Sequence, residues 1–131
     1  MKPRYRAWMK SLKWMCDVTN ISFDSKFVDI CQQGDTERYT EMSVEFDEIT
    51  LMQSTGLFDR NGKEIFEGDI LDYRGRKALV RWHGSYASFI YRFVDELQNR
   101  NTEWKPLYLA YMKCEIIGNI YENPELLEES K

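Results

Sequence analysis

The chain has 131 residues, 43% of them hydrophobic, 15% aromatic and 31% charged, with a formal net charge of −4. That length holds a core able to fold without disulfides or a structural metal, and the composition excludes an intrinsically disordered chain. Net acidity gives no general attraction to phosphate, no apolar run approaches the roughly 20 residues that span a bilayer, and the N-terminus lacks the apolar core of a secretory signal.

From the N-terminus, Tyr5, Ala7 and Met9 alternate with Arg6 and Trp8 as a strand does. Residues 18–23 are rich in β-formers, and residues 27–30 follow the turn-like Asp24-Ser25, so a hairpin is predicted there. Residues 32–36 form a loop by composition. Beyond it, Val44, Phe46, Ile49 and Leu51 change register once, as a strand with a bulge or a break would.

Gly56 allows the chain to leave this strand at positive φ, and Asp59-Arg60-Asn61-Gly62 predicts a tight reversal, because Asn-Gly tolerates the left-handed region at little steric cost. Ile65 and Phe66 resume the apolar pattern, and Gly68-Asp69 makes a second kink. Residues 70–73 lead to Arg74-Gly75, read as a hairpin tip with residues 77–82 as the returning strand. Residues 86–91 have mixed periodicity. Phe93 and Leu97 permit one or two helical turns, residues 99–105 read as a loop, and Leu107, Leu109 and Tyr111 alternate as a strand would. Residues 114–121 read as a buried strand interrupted at Gly118 by a bulge or a close approach. Asn123-Pro124, with Glu125 behind it, predicts a short C-terminal helix capped by the Asn123 side chain.

Short strands separated by Gly-containing turns give a mainly β (β-rich α+β) class. The architecture expected is a small, strongly bent antiparallel barrel, SH3-like in character, with a β-rich N-terminal segment and a short C-terminal helix. One domain over residues 1–131 is expected, divisible into an N-terminal arm or lobe (1–56) and a barrel-like core (57–121).

Two blocks stand out: residues 51–70, with Thr55-Gly56-Leu57, Asn61-Gly62-Lys63-Glu64-Ile65 and Glu67-Gly68-Asp69, and residues 115–127, with Gly118-Asn119-Ile120-Tyr121-Glu122-Asn123-Pro124. An opening block adds Tyr5-Arg6-Ala7-Trp8, Lys13-Trp14-Met15 and Ile21-Ser22-Phe23. In this order and spacing they resemble the YopX family of phage and prophage proteins over nearly the whole chain. The chain departs from the pattern at Met9, where an acid often follows the tryptophan, and at Ser54, where an aromatic is common. The resemblance implies a small β-rich phage-associated protein made in a bacterial cytoplasm and able to self-assemble. It brings no catalytic residues.

Enzyme chemistry finds little to stand on. His83 is the only histidine, which excludes a two-histidine metal site, and it reads as a strand-end polar residue lacking an identifiable orienting acid. Glu64, Glu67 and Asp69 lie around a turn, where bonding to backbone N–H groups is the economical role. No phosphate-binding glycine loop is present. Cys16, Cys31 and Cys114 are odd in number and form no Cys-x-x-Cys pair, which fits a reduced, cytoplasmic protein without a disulfide framework or zinc. No cofactor, metal or membrane is expected.

Binding is therefore the expected mode of action, with self-association or another protein favoured. Residues 1–15 are basic without an acid, whereas residues 35–48 are acidic, and such asymmetry suits contact between copies. Nucleic acid is the alternative: Arg74, Arg76, Lys77, Arg81, Tyr86, Tyr91 and Arg92 supply the cations and stacking rings with which small β-barrels hold single strands. The same residues also alternate as a solvated strand face would. An enzyme acting on a small molecule is the third reading.

Overall fold

In the computed structural model, the described residues are 4–98 and 104–128. They fall in two compact units, Met1–Gln53 and Ser54–Lys131. Every strand ladder is antiparallel. The helical elements are 3-10 turns of three or four residues, and no helix is long and apolar enough to cross a membrane, both statements being of the described residues.

The first unit is built from β1 (Tyr5–Met9), β2 (Trp14–Ser22), β3 (Phe27–Gln32), β4 (Met42–Glu45) and the first half of β5 (Ile49–Phe58), in the order β4-β3-β2-β1-β5. Residues opposite one another share a face, so the pairs Ala7 with Cys16, Met9 with Ile49 and Val28 with Val44 assemble one apolar layer. Their burial drives the sheet to close over that side. The expected hairpin forms between β2 and β3, with a register shift between Val18 and Asn20. The break expected near residue 46 is the 3-10 turn Phe46–Glu48, where the Glu48 carboxylate accepts the Glu45 backbone N–H at 2.7 Å. Arg6 of the basic N-terminal stretch is buried and its Nε donates to the Met52 sulfur at 3.4 Å.

In the second unit the latter half of β5 pairs with β6 (Glu64–Phe66). A five-stranded sheet follows, made of β7 (Asp69–Tyr73), β8 (Arg76–His83), β9 (Ser88–Phe93), β10 (Lys105–Pro106) and β11 (Cys114–Asn119), in the order β10-β9-β8-β7-β11. Its core holds Ile65, Leu71, Ala78, Val80, Tyr91, Phe93, Leu107, Ala110 and Cys114. Arg74 and Gly75 both take positive φ, 51° and 88°, the conformation a two-residue hairpin needs to match strand twist.

Three expectations are corrected. The barrel is not closed: β10 and β11 are the two ends of an open sheet, and the chain between them runs through the 3-10 turns Leu107–Leu109 and Tyr111–Lys113 instead of a ladder. The strand expected over residues 107–111 is replaced by these turns because Leu107 and Ala110 are the buried positions, a spacing of three that suits a 3-10 turn and not a strand. The C-terminal helix is one 3-10 turn, Pro124–Leu127, and Asn123 does not cap it. Its Oδ1 instead accepts the Asn119 N–H at 3.2 Å.

Candidate functional site

The two sequence blocks that stand out meet in the second unit. Asp59, buried, accepts three backbone N–H groups at 2.9 Å: Oδ1 those of Asn61 and Lys63, Oδ2 that of Ile116 on β11. Arg60 Nη2 pairs with Glu115 Oε2 at 2.6 Å, Asn61 Nδ2 donates to Glu115 Oε1 at 3.1 Å, and the Arg60 N–H bonds the Cys114 carbonyl at 2.9 Å. Further along, Gly68 donates to the Val80 carbonyl and accepts from Ile120 N–H. Asp69, also buried, accepts the Phe66 N–H at 2.8 Å, and Ser54 donates to Glu64 at 2.5 Å. Asp59 and Asp69 thus organise backbone, whereas Glu64 takes a side-chain hydroxyl. Burial pulls the Asp59 carboxyl upward, but its three N–H donors and the nearby Lys63 charge outweigh that and hold it below the ordinary value.

Gly118 shows both features expected of it. The ladder shifts register between Ile116 and Gly118, and a Cβ there would lie 2.5 Å from Asn123 Oδ1 and 2.8 Å from Leu126 Cδ1. Asn119, buried, turns the chain by accepting the Tyr121 and Glu122 N–H groups.

The seven proposed surface residues do not share a face. Tyr91 is 7% exposed, opposite Val80 in the core, and its phenol pKa is raised, chiefly by burial; it offers no ring to a ligand. Arg76 lies on that same side, its guanidinium 3.6 Å from the Phe93 ring and paired with Asp95 at 2.8 Å and Glu96 at 3.0 Å. Arg74 sits in the hairpin tip, 5.7 Å from the Tyr73 ring. The remaining strand cations gather on the opposite face. Arg81 is across from Ile90, Arg92 across from Leu79, and Lys77 is two positions before Leu79, so strand alternation places all three side chains together. Lys77 Nζ donates to the Glu128 carbonyl at 3.0 Å.

On this face a cleft of about 500 Å³ is lined by His83, Tyr86, Ser88, Ile90, Trp104, Pro106 and Tyr108. Register explains the assembly: His83 pairs with Ser88, and Arg81 and Pro106 pair with Ile90 from its two sides. The 3-10 turn Gly84–Tyr86 delivers Tyr86, whose ring stacks on His83 with centroids 4.5 Å apart and planes at 29°. Tyr86 is 71% exposed and Tyr108 60%. Arg92 lies 5.3 Å from the Trp104 ring, while Arg81 makes no ion pair or hydrogen bond among the described residues. No carboxylate lines the cleft among the described residues, so His83 has no orienting acid there. Nor do those residues contain a group of three or more His, Cys, Asp or Glu placed to hold a metal ion.

Of the seven residues the sequence nominates, Lys77, Arg81, Tyr86 and Arg92 belong to this face, and His83 joins them as a residue to which the sequence assigns no role. Sequence reading missed Trp104 and Tyr108, whose segment is joined to the cleft by two residues of β10. The signal that could have found them is the pairing of β10 on β9, which a single sequence does not give.

A comparison with curated proteins gives no match. Among solved structures, the chain is similar to the crystal structure of protein EF1440 from Enterococcus faecalis, with 29% identity and a TM-score of 0.58 over 98% of this chain and 99% of that one. The YopX protein family model matches residues 4–128, which include both halves of the Asp59 and Ile116 contact. A match over that span shows that the chain belongs to the YopX family.

Proposed function

We propose that this protein is a non-enzymatic accessory protein of a phage or prophage, acting in the bacterial cytoplasm by binding, and that the second unit binds single-stranded nucleic acid. The observation that carries the reading is the union, on one sheet face, of rings and strand cations: the exposed Tyr86 and Tyr108 and the half-buried Trp104 around the cleft, with Arg81 and Arg92 beside it. Rings accept bases of any sequence by stacking, and guanidinium groups track phosphate. A cleft of about 500 Å³ has room for an unstacked base with its sugar and phosphate, which suits a single strand. An acidic net charge is no obstacle when the cations are local, because salt screens the repulsion of distant acids.

The test is fluorescence anisotropy of a labelled 12-mer strand and the corresponding duplex, titrated with protein at 20 mM and 200 mM salt. The strand is expected to bind, to outcompete the duplex, and to lose affinity with salt; Arg81→Ala should lower the logarithmic salt slope by about 1. Absence of any anisotropy change at 20 mM salt sinks the reading.

Self-association is the second reading, supported by the exposed apolar run of Tyr108, Leu109 and Met112. Light scattering tests it. A monomer at high micromolar concentration would rule it out.

A further inference from the structure

We infer that His83 is the specificity-determining residue of the cleft, contacting the edge of a bound base through Nδ1, and that Tyr86 transfers its stacking from His83 to that base. This rests on the reading of the cleft as a site for a single strand. Three observations converge on it. His83 Nδ1 is buried and has no hydrogen-bond partner among the described residues, an arrangement that native proteins avoid unless something else satisfies the atom. The segment that covers one face of the imidazole lies open to solvent: Tyr86 is the most exposed ring of the cleft, and the turn that carries it ends at Ala87, a non-glycine residue in the left-handed region at φ 47° and ψ 46°. Finally, His83 faces Ser88 directly across the β8 to β9 ladder, so two polar side chains stand side by side on adjacent strands in the cleft.

The chemistry follows from these placements. A neutral imidazole presents either a proton or a lone pair at Nδ1, and the Ser88 hydroxyl, which donates to the Phe89 carbonyl at 3.3 Å, presents its lone pairs. Together they distinguish base edges by their order of donors and acceptors, as stacking alone cannot. When the Gly84–Tyr86 turn swings outward, Nδ1 becomes reachable to a base edge lying in the plane of the imidazole, and the Tyr86 ring closes over that base. Arg81, across from Ile90 on the cleft floor, is set to hold the phosphate.

His83 is the only histidine of the chain, so its imidazole nitrogens can be followed in the unmodified protein without assignment by mutation. Long-range proton–nitrogen spectra would be recorded while 12-mers of each single base, DNA and RNA, are added in turn. The expected result is a shift of the Nδ1 resonance with the preferred base and little change with the others. His83→Phe keeps a ring for Tyr86 to stack on but removes Nδ1. It is expected to weaken the preferred strand about tenfold, to alter the weakest less than twofold, and so to flatten the preference. An unmoved Nδ1 resonance at saturation, or a preference retained in His83→Phe, overturns the inference while strand binding itself stands. Failure of every strand to bind overturns both.

Discussion

Asp59 accepts the backbone N–H of Ile116 at 2.9 Å, across 57 positions of the chain. The same carboxylate closes its own turn through Asn61 and Lys63. One side chain therefore shapes the reversal between β5 and β6 and fastens it to β11.

Removing that carboxylate should be costly. Asp59→Ala leaves three N–H donors without their acceptor, and the expected loss is about 2–4 kcal/mol, read as a lower midpoint in urea unfolding. Asp59→Asn keeps an acceptor oxygen and should lose roughly half as much.

Acid should act through the same group. Its folded pKa is depressed below the ordinary 3.8, so its stabilisation is fully present above that value and is lost as pH falls through the folded value. Thermal unfolding between pH 6 and pH 2 should show stability falling on the acid side, with a shallower fall in Asp59→Ala. Asp35, held low chiefly by the Thr40 hydroxyl at 2.6 Å and then the Thr40 N–H at 2.7 Å, contributes with the same sign in the first unit.

Gly118→Ala tests the close approach at β11. Its methyl would meet Asn123 and Leu126 at under 3 Å, which displaces the Asn123 side chain from the Asn119 N–H. A loss of about 1–3 kcal/mol is expected, with faster amide exchange at Asn119 as the local reporter.

Arginines on the two faces of β8 should separate stability from binding. Arg76→Ala breaks pairs that are well exposed to solvent, so its stability cost is expected to stay within about 1 kcal/mol, and strand binding should be unchanged. Arg81→Ala should leave stability untouched and weaken the strand. Equal effects of both variants on binding would contradict the assignment of faces.

The thiols of Cys16 and Cys114 are pushed up to about 11, chiefly by burial. Iodoacetamide at pH 8 should modify them slowly in the folded protein and rapidly in urea, as intact mass reports, because only the thiolate reacts.

Much of this architecture was legible in the chain wherever the cause was local. Arg74-Gly75 specifies its hairpin by backbone conformation, and Gly118 combines a bulge with a close approach. Period was harder to read. Leu107, Leu109 and Tyr111 look alternating, yet the buried pair is Leu107 and Ala110, and which of two overlapping patterns faces the core depends on neighbours distant in sequence. Asn123 had two partners within reach and took the Asn119 N–H over its own turn. The cleft was the least legible, since His83, Trp104 and Tyr108 meet only through strand pairing. Tyr91 went the other way: Arg92 follows it in sequence, but its ring packs against Tyr73 and Phe93.

The bond from Asp59 to Ile116 also bears on how the second unit reaches its native state. The Asp59-Arg60-Asn61-Gly62 turn and the Arg74-Gly75 hairpin are short-range and can form within microseconds, whereas bringing β11 to Asp59 requires closing a loop of 57 residues. Closure of that span is expected to come late, after the folding barrier. Loss of the Asp59 carboxylate should then appear in the unfolding rate, with the refolding rate nearly unchanged, so that this contact sets the lifetime of the folded protein more than the speed at which it forms.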